Sequence, residues 1–276
     1  MITRVACIQT TATPDMAAGL DRIAGFVADA AGQGARLVML PEMSAMLAPG
    51  PEQRAAALAE AEHPAVAAFA RMAREAGVWL HCGSIAVGAP AAGDDRLANR
   101  TLVFDQNGAI VARYDKIHLF DVGDLADGQS YRESDRYRPG DQARVIDTPA
   151  GRMGLSICYD LRFPHLYQAL ADAGASVLAI PAAFTVPTGR AHWHALMRAR
   201  AIETGCWVMA PAQAGEHYPG RRTYGHSLIV SPWGEVVAEA DGESEGVILA
   251  DLDTEAVTAA RSKVPSLANR RSFTGP

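Results

Sequence analysis

The sequence predicts an α/β fold with mixed parallel and antiparallel sheets. Three observations predict it. Short apolar runs alternate with longer segments of helical period, hairpin signals interrupt that alternation, and no repeat or low-complexity linker divides the 276 residues. No boundary is visible, so 1–276 is read as one domain.

Arg4 to Gln9 reads as a buried strand, and Asp15 is placed to cap a helix through Gly32 with Leu20, Ile23, Ala24, Val27 and Ala31 on one face. Arg36 to Leu40 is a second strand, stopped by Pro41, so Glu42 stands just past its end. The alanine-rich stretch Pro51 to Gly77 is expected to be helical with an interruption near His63-Pro64. Val78 to Val87 reads as one strand and Ala89 to Asp95 as a loop. Thr101 to Asp105 and Ile110 to Arg113 flank Gln106-Asn107-Gly108, a hairpin signal. His118 to Gly140 is polar, aperiodic and longer than most connections inside a domain, which marks it as a candidate active-site loop.

Val145 to Asp147 and Met153 to Ile157 are expected as strands around the turn Pro149-Ala150-Gly151. Pro164 to Ala173 follows as a helix, with proline at its start, where the missing N–H does no harm. Val177 to Ile180 is a strand ended by Pro181, Arg190 to Thr204 a helix ended by Gly205, and Trp207 to Ala210 a strand. Ser227 to Val230 and Glu235 to Ala238 flank the turn 231–234, Gly246 to Asp251 is the last strand and Thr254 to Lys263 the last helix.

Composition excludes several classes. The net charge is −6, without the basic footprint of a nucleic-acid binder. Cysteines stand at 7, 82, 158 and 206 and form no C-x-x-C pair, so no zinc ribbon or redox motif is expected. The apolar runs are too short to span a membrane, and no secretory leader is visible, so a reducing, cytoplasmic setting is expected. His192 and His194 lie two apart in a predicted helix and point in different directions, so no metal site is expected.

Three segments share one design, in which an apolar strand delivers a reactive residue at its C-terminal end. They are Leu37 to Glu42, Val111 to Lys116 and Leu155 to Asp160. Ligand sites of α/β folds collect at such ends. Brought together, Glu42 could accept a proton from the Cys158 thiol, the thiolate could attack a carbonyl carbon, and Lys116 could support the negative charge that develops. A free thiol ionises near pH 8.5. A lysine charge about 4 Å away contributes roughly 4 kcal/mol at an effective dielectric of about 20, enough to lower that pKa by up to ~3 units, opposed in part by burial and by the carboxylate.

Leu40-Pro41-Glu42-Met43, Tyr114-Asp115-Lys116-Ile117-His118-Leu119-Phe120 and Ile157-Cys158-Tyr159-Asp160-Leu161-Arg162-Phe163-Pro164 resemble the three signatures of the nitrilase superfamily, the carbon–nitrogen hydrolases. The order and the separations of 74 and 42 residues suit that family, and the resemblance extends over essentially the whole chain. It implies a four-layer α-β-β-α sandwich, a homodimer or larger homo-oligomer, no cofactor, and a small amide as substrate. It implies Glu42 as general base, Lys116 as the lysine that stabilises the intermediate, Cys158 as nucleophile and Glu133 as a second glutamate of the site.

Within the family, Pro181-Ala182-Ala183-Phe184-Thr185, Ala191-His192-Trp193 and Tyr224-Gly225-His226-Ser227 look most like the branch of deaminated glutathione amidases, with the omega-amidases as the alternative. Tyr159, Phe184, Thr185 and Arg162 are the expected substrate-binding residues, and Arg190, Arg221 and Arg222 are further cations for a substrate carboxylate. The stretch His217 to Arg222 departs from its relatives and is expected to border the pocket. A Cys158–His165 dyad of the papain kind and a non-catalytic binding protein of the same fold are the competing readings.

Overall fold

The computed structural model describes residues 1–88, 94–123 and 130–275. Two sheets face each other. The first runs in the order Gly246–Asp253, Ile2–Gln9, Leu37–Met39, Trp79–His81, Ala98–Phe104, Ile85–Val87, with Ile110–Asp115 also paired to Ala98–Phe104. The second runs Val236–Glu239, Leu228–Val230, Trp207–Ala210, Val177–Ala179, Gly151–Leu155, Arg144–Thr148. Each mixes parallel and antiparallel pairs.

The two-residue period of a strand sorts its side chains between faces. Ala6, Ile8, Val38, Leu80 and Leu102 pack with Ile23, Val27, Phe69 and Met72 from the helices Met16–Gly32 and Pro64–Ala76. Val5, Cys7, Leu37, Met39 and Val103 turn the other way and join Met153, Leu155 and Val177 of the second sheet, whose core continues into Tyr167, Trp193 and Met197 of the helices Pro164–Asp172 and Val186–Thr204. The result is the four-layer α-β-β-α sandwich.

Several elements differ from expectation. The run Val78 to Val87 is two strands, because Gly83 turns the chain at φ +69° between Trp79–His81 and Ile85–Val87. The interruption expected near His63-Pro64 is present but longer, covering 57–63, where a short 3-10 turn, Glu60–Glu62, separates Gly50–Ala56 from Pro64–Ala76. The helix expected from Arg190 starts at Val186. Pro187 is tolerated in its first turn, and Gly189 admits the Tyr224 ring, whose Cγ would lie 2.2 Å from an added Cβ. The stretch His217 to Arg222, for which no strand was expected, lies within the hairpin Ala214–Tyr218 and Arg221–Tyr224. The long segment 118–140 carries the short ladder Asp121–Val122 with Tyr131–Arg132 and the turn Glu133–Asp135. Its residues 124–129, like 89–93 of the predicted loop Ala89 to Asp95, lie outside the described residues.

Gly83 also fixes the first site segment. A Cβ there would sit 1.8 Å from the Pro41 carbonyl oxygen, one residue before Glu42. Gly83→Ala adds left-handed strain to that clash and is expected to lower stability by about 2–4 kcal/mol. Urea unfolding measures this, and an unchanged midpoint would contradict the account.

Candidate active site

Each site segment is held by the fold before any chemistry is considered. Past Leu37–Met39, Leu40 N–H donates to the His81 carbonyl, while the Met43 and Ser44 N–H groups donate to Ser84 Oγ and Ser84 O. Met43 sits at φ +53°, which turns Glu42 inward. At the end of Ile110–Asp115, the Lys116 N–H donates to Asn99 O and its carbonyl accepts from Gly140. After Gly151–Leu155 the chain enters a 3-10 turn, Cys158–Arg162, with Cys158 at φ +49° and its N–H bound to the Pro181 carbonyl at 2.9 Å.

These ends meet in one cavity. Glu42, Lys116, Glu133, Cys158, Tyr159, Phe184 and Thr185 all line it. Lys116 Nζ lies 2.9 Å from Glu42 Oε1 and 2.8 Å from Glu133 Oε2. Asn99 Nδ2 donates to both carboxylates, at 2.9 and 3.3 Å. The Ala183 N–H donates to Glu42 Oε2 at 3.0 Å, and the Phe120 N–H donates to Glu133 Oε2 at 2.6 Å. Glu42, Lys116 and Cys158 are only 5, 2 and 7% exposed, so water screens their charges little.

Burial alone pushes the Glu42 carboxyl up, but the Lys116 charge and hydrogen bonds from Cys158, Lys116 and Asn99 outweigh it and hold Glu42 below the usual carboxylate range. Burial alone would lower Lys116, and the charges of Glu133 and Glu42 reverse that and hold it well above its ordinary value. Burial, then the Glu42 charge and hydrogen bond, push the Cys158 thiol well up, and Lys116 does not offset them. The acidifying pull of the lysine on the resting thiol is therefore outweighed by burial and by Glu42. A protonated thiol beside an ionised carboxylate is the pairing that general-base attack requires.

Arg162 is not among the residues that line the cavity. Its guanidinium lies over the Tyr159 and Phe184 rings, at 5.8 and 5.5 Å, and meets His192 Nδ1 at 3.3 Å. Arg190 is exposed, and Arg222 pairs with Glu216 and Glu243, whereas Arg221 and Tyr218 of the 214–224 hairpin do line the cavity. No histidine lines it among the described residues. His165 packs edge-on to His118 and Phe163, so the Cys158–His165 dyad has no geometric basis. His192 and His194 diverge, and His194 shares the Glu239 Oε1 atom with His226, each at 2.9 Å.

Sequence reasoning missed two supports. Asn99 joins the two glutamates, as described. Asp160 is fully buried. It accepts from the Ile157 N–H at 2.8 Å, Tyr114 Oη at 2.6 Å and the His118 N–H at 3.0 Å, and it meets His118 Nδ1 at 2.7 Å. One carboxylate thus ties the turn at Cys158 to the chain on both sides of Lys116. Its only sequence signal was its place two residues after the cysteine.

A family model described as carbon-nitrogen hydrolase matches residues 4–262. The chain is similar to the deaminated glutathione amidase of Yersinia enterocolitica, 41% identical over 86% of this chain and 82% of that protein. It is similar to that of Synechocystis, 40% identical over 96% and 97%. It is also similar to the human one, 40% identical over 97% and 82%. Among solved structures it resembles the C. elegans NitFhit protein, with a TM-score of 0.89 and 34% identity, covering 98% of this chain and 65% of that one. It resembles Saccharomyces cerevisiae Nit3 with a TM-score of 0.86 and 32% identity, covering 96% and 94%. A mutant of the amidase from Nesterenkonia sp. AN1, in which acrylamide has added to the active site cysteine, has a TM-score of 0.78 at 26% identity, covering 95% and 98%.

Two outcomes follow from the buried charges. Lys116→Met leaves two enclosed carboxylates without their cation and is expected to cost about 3–5 kcal/mol at neutral pH. That deficit shrinks as pH falls and the Glu42 carboxyl takes up a proton, whereas in the unmodified protein the Glu42–Lys116 attraction is complete above the ordinary carboxylate value of about 4.3 and is lost as pH falls through the depressed one. Denaturant melts across pH test both signs. Thiolate ultraviolet absorbance, taken as the difference between the unmodified protein and Cys158→Ala, is expected only above about pH 8.5, and a signal at pH 7 would refute a protonated resting thiol.

Proposed function

Because this chain belongs to the carbon–nitrogen hydrolase family, we propose that it hydrolyses deaminated glutathione to 2-oxoglutarate and cysteinylglycine through a thioester on Cys158. The observation that carries this choice of substrate is the likeness, at about 40% identity along nearly the whole chain, to relatives that bear that name.

In this reading Glu42 takes the proton from Cys158 Sγ as sulfur attacks the amide carbonyl carbon. The carbonyl oxygen becomes an oxyanion held by the Lys116 ammonium and the Tyr159 N–H. Tyr159 is the second residue of its 3-10 turn, where a backbone N–H has no partner within the turn. Glu42 then gives its proton to the departing amine as the C–N bond breaks, which leaves the acyl group on sulfur. Water, deprotonated by Glu42, adds to the thioester carbon, and the C–S bond breaks with return of the proton to sulfur. Glu133 does not move protons here; it balances Lys116 so that the ammonium stays charged and in place. Phe184 and Thr185 shape the wall beside the reacting carbonyl. We take residues 1–276 as one domain of a cytoplasmic enzyme that works as a homodimer or larger homo-oligomer. Among the described residues no helix is long and apolar enough to cross a membrane.

Turnover of deaminated glutathione and of 2-oxoglutaramate, measured side by side, tests the reading. The first is expected to have the higher kcat/KM. A wide margin for the second would make the chain an omega-amidase, and failure on every amide would make it a silent binding protein. Cys158→Ala is expected to remove about 10⁴-fold or more of either activity, and a covalent acyl adduct should be trapped on the unmodified protein alone.

A further inference from the structure

The hairpin Ala214–Tyr218 and Arg221–Tyr224 is stitched to the cavity wall at its base. Thr223 forms an antiparallel bridge with Thr185, and the Tyr224 N–H donates to the Phe184 carbonyl at 2.9 Å. His217, inside the hairpin, meets Thr223 Oγ1 and the Ala12 carbonyl, each at 2.7 Å. An element tied down in this way carries its side chains to fixed places.

One of those side chains is Arg221, at the cavity wall. Nη1 donates to Tyr131 Oη at 2.9 Å, Nη2 donates to the Ala183 carbonyl at 3.4 Å, and the guanidinium lies 5.1 Å from the Tyr131 ring centre. These partners are all neutral. Among the described residues no carboxylate stands within ion-pair distance of Arg221, whereas Lys116, the cation deeper in the cavity, is fully engaged by Glu42 and Glu133. The wall therefore presents a pre-oriented, planar cation that no carboxylate among the described residues compensates, the group best suited to take a carboxylate through two parallel hydrogen bonds.

Ala183 relates this cation to the reacting centre. Its N–H holds Glu42 Oε2 and its carbonyl holds Arg221, so a single residue separates base and guanidinium. A five-carbon 2-oxo dicarboxylic acyl group spans roughly 5 Å from its amide carbon to its far carboxyl carbon. We propose that Arg221 is the anchor for the 2-oxo acid carboxylate on the acyl half of the substrate, the half that stays bound to sulfur after the amine has left. This rests on the amidase reading above and adds to it the group that selects an anionic acyl chain.

Calorimetric titration of Cys158→Ala protein with 2-oxoglutarate tests the anchor without requiring turnover. Saturable binding is expected, weakened about 10- to 100-fold by adding Arg221→Gln and partly restored by Arg221→Lys. No binding by the Arg221-containing protein, or equal binding by all three, overturns the proposal. In otherwise unmodified enzyme, Arg221→Gln is expected to lower kcat/KM for deaminated glutathione and for 2-oxoglutaramate alike, mainly through KM, and more than for uncharged butanamide. A loss confined to deaminated glutathione would assign Arg221 to the departing dipeptide, and an equal loss on butanamide would make it structural. Either result overturns the anchor. If the enzyme hydrolyses no deaminated glutathione, the substrate reading fails separately, and the titration still decides Arg221.

Discussion

A single buried ammonium organises this molecule. Lys116 is almost wholly enclosed, and an enclosed charge without partners is untenable. Its partners come from far away in the sequence: Glu42 from the end of Leu37–Met39, Glu133 from the turn Glu133–Asp135, and Asn99 from within Ala98–Phe104. Satisfying the ammonium therefore requires the first sheet to be assembled and the 118–140 segment to fold back over it. Two carboxylates against one cation leave an excess negative charge. Burial first, and then the Glu42 charge, keep the thiol protonated, while the Lys116 charge keeps Glu42 ionised beside it.

The second sheet brings the sulfur to this centre at a cost in backbone freedom. Cys158 lies in the left-handed region, where a side chain carries a penalty of about 1–2 kcal/mol. The turn persists because its surroundings over-determine it: Asp160 bonds into both flanks, the Cys158 N–H is bound to Pro181, and the Arg200 guanidinium grips the Leu161 carbonyl. A reactive group that must project from a strand end into a cavity needs a sharp turn, and a chain of L-residues makes one this sharp only under such restraint.

Much of this was legible in the sequence, for local reasons. Apolar runs stopped by Pro41 and Pro181, the hairpin at Gln106-Asn107-Gly108 and the strand-end positions of Glu42, Lys116 and Cys158 are written in adjacent residues. What stayed hidden depends on contacts between distant segments. Pro187 and Gly189 look like a loop until the Tyr224 ring is seen to occupy the space beside Gly189. The 214–224 hairpin lacks an alternating apolar pattern, because its strands pair with each other apart from the large sheets. Asp160 and Asn99 are ordinary polar letters until their partners, 46 and 57 residues away in the chain, are in place. Arg162, four residues from the cysteine, was a reasonable choice by proximity, yet a 3-10 turn carries it over the aromatic rings beside the cavity.

The torsion at Cys158 has an evolutionary corollary. Glycine visits that backbone region freely, so a chain with glycine at 158 would be relieved of the strain while losing its sulfur. Folding robustness and chemistry thus pull in opposite directions at this one codon. A lineage released from the need for turnover, and screened only for heat resistance, would drift toward an inert scaffold with the same silhouette.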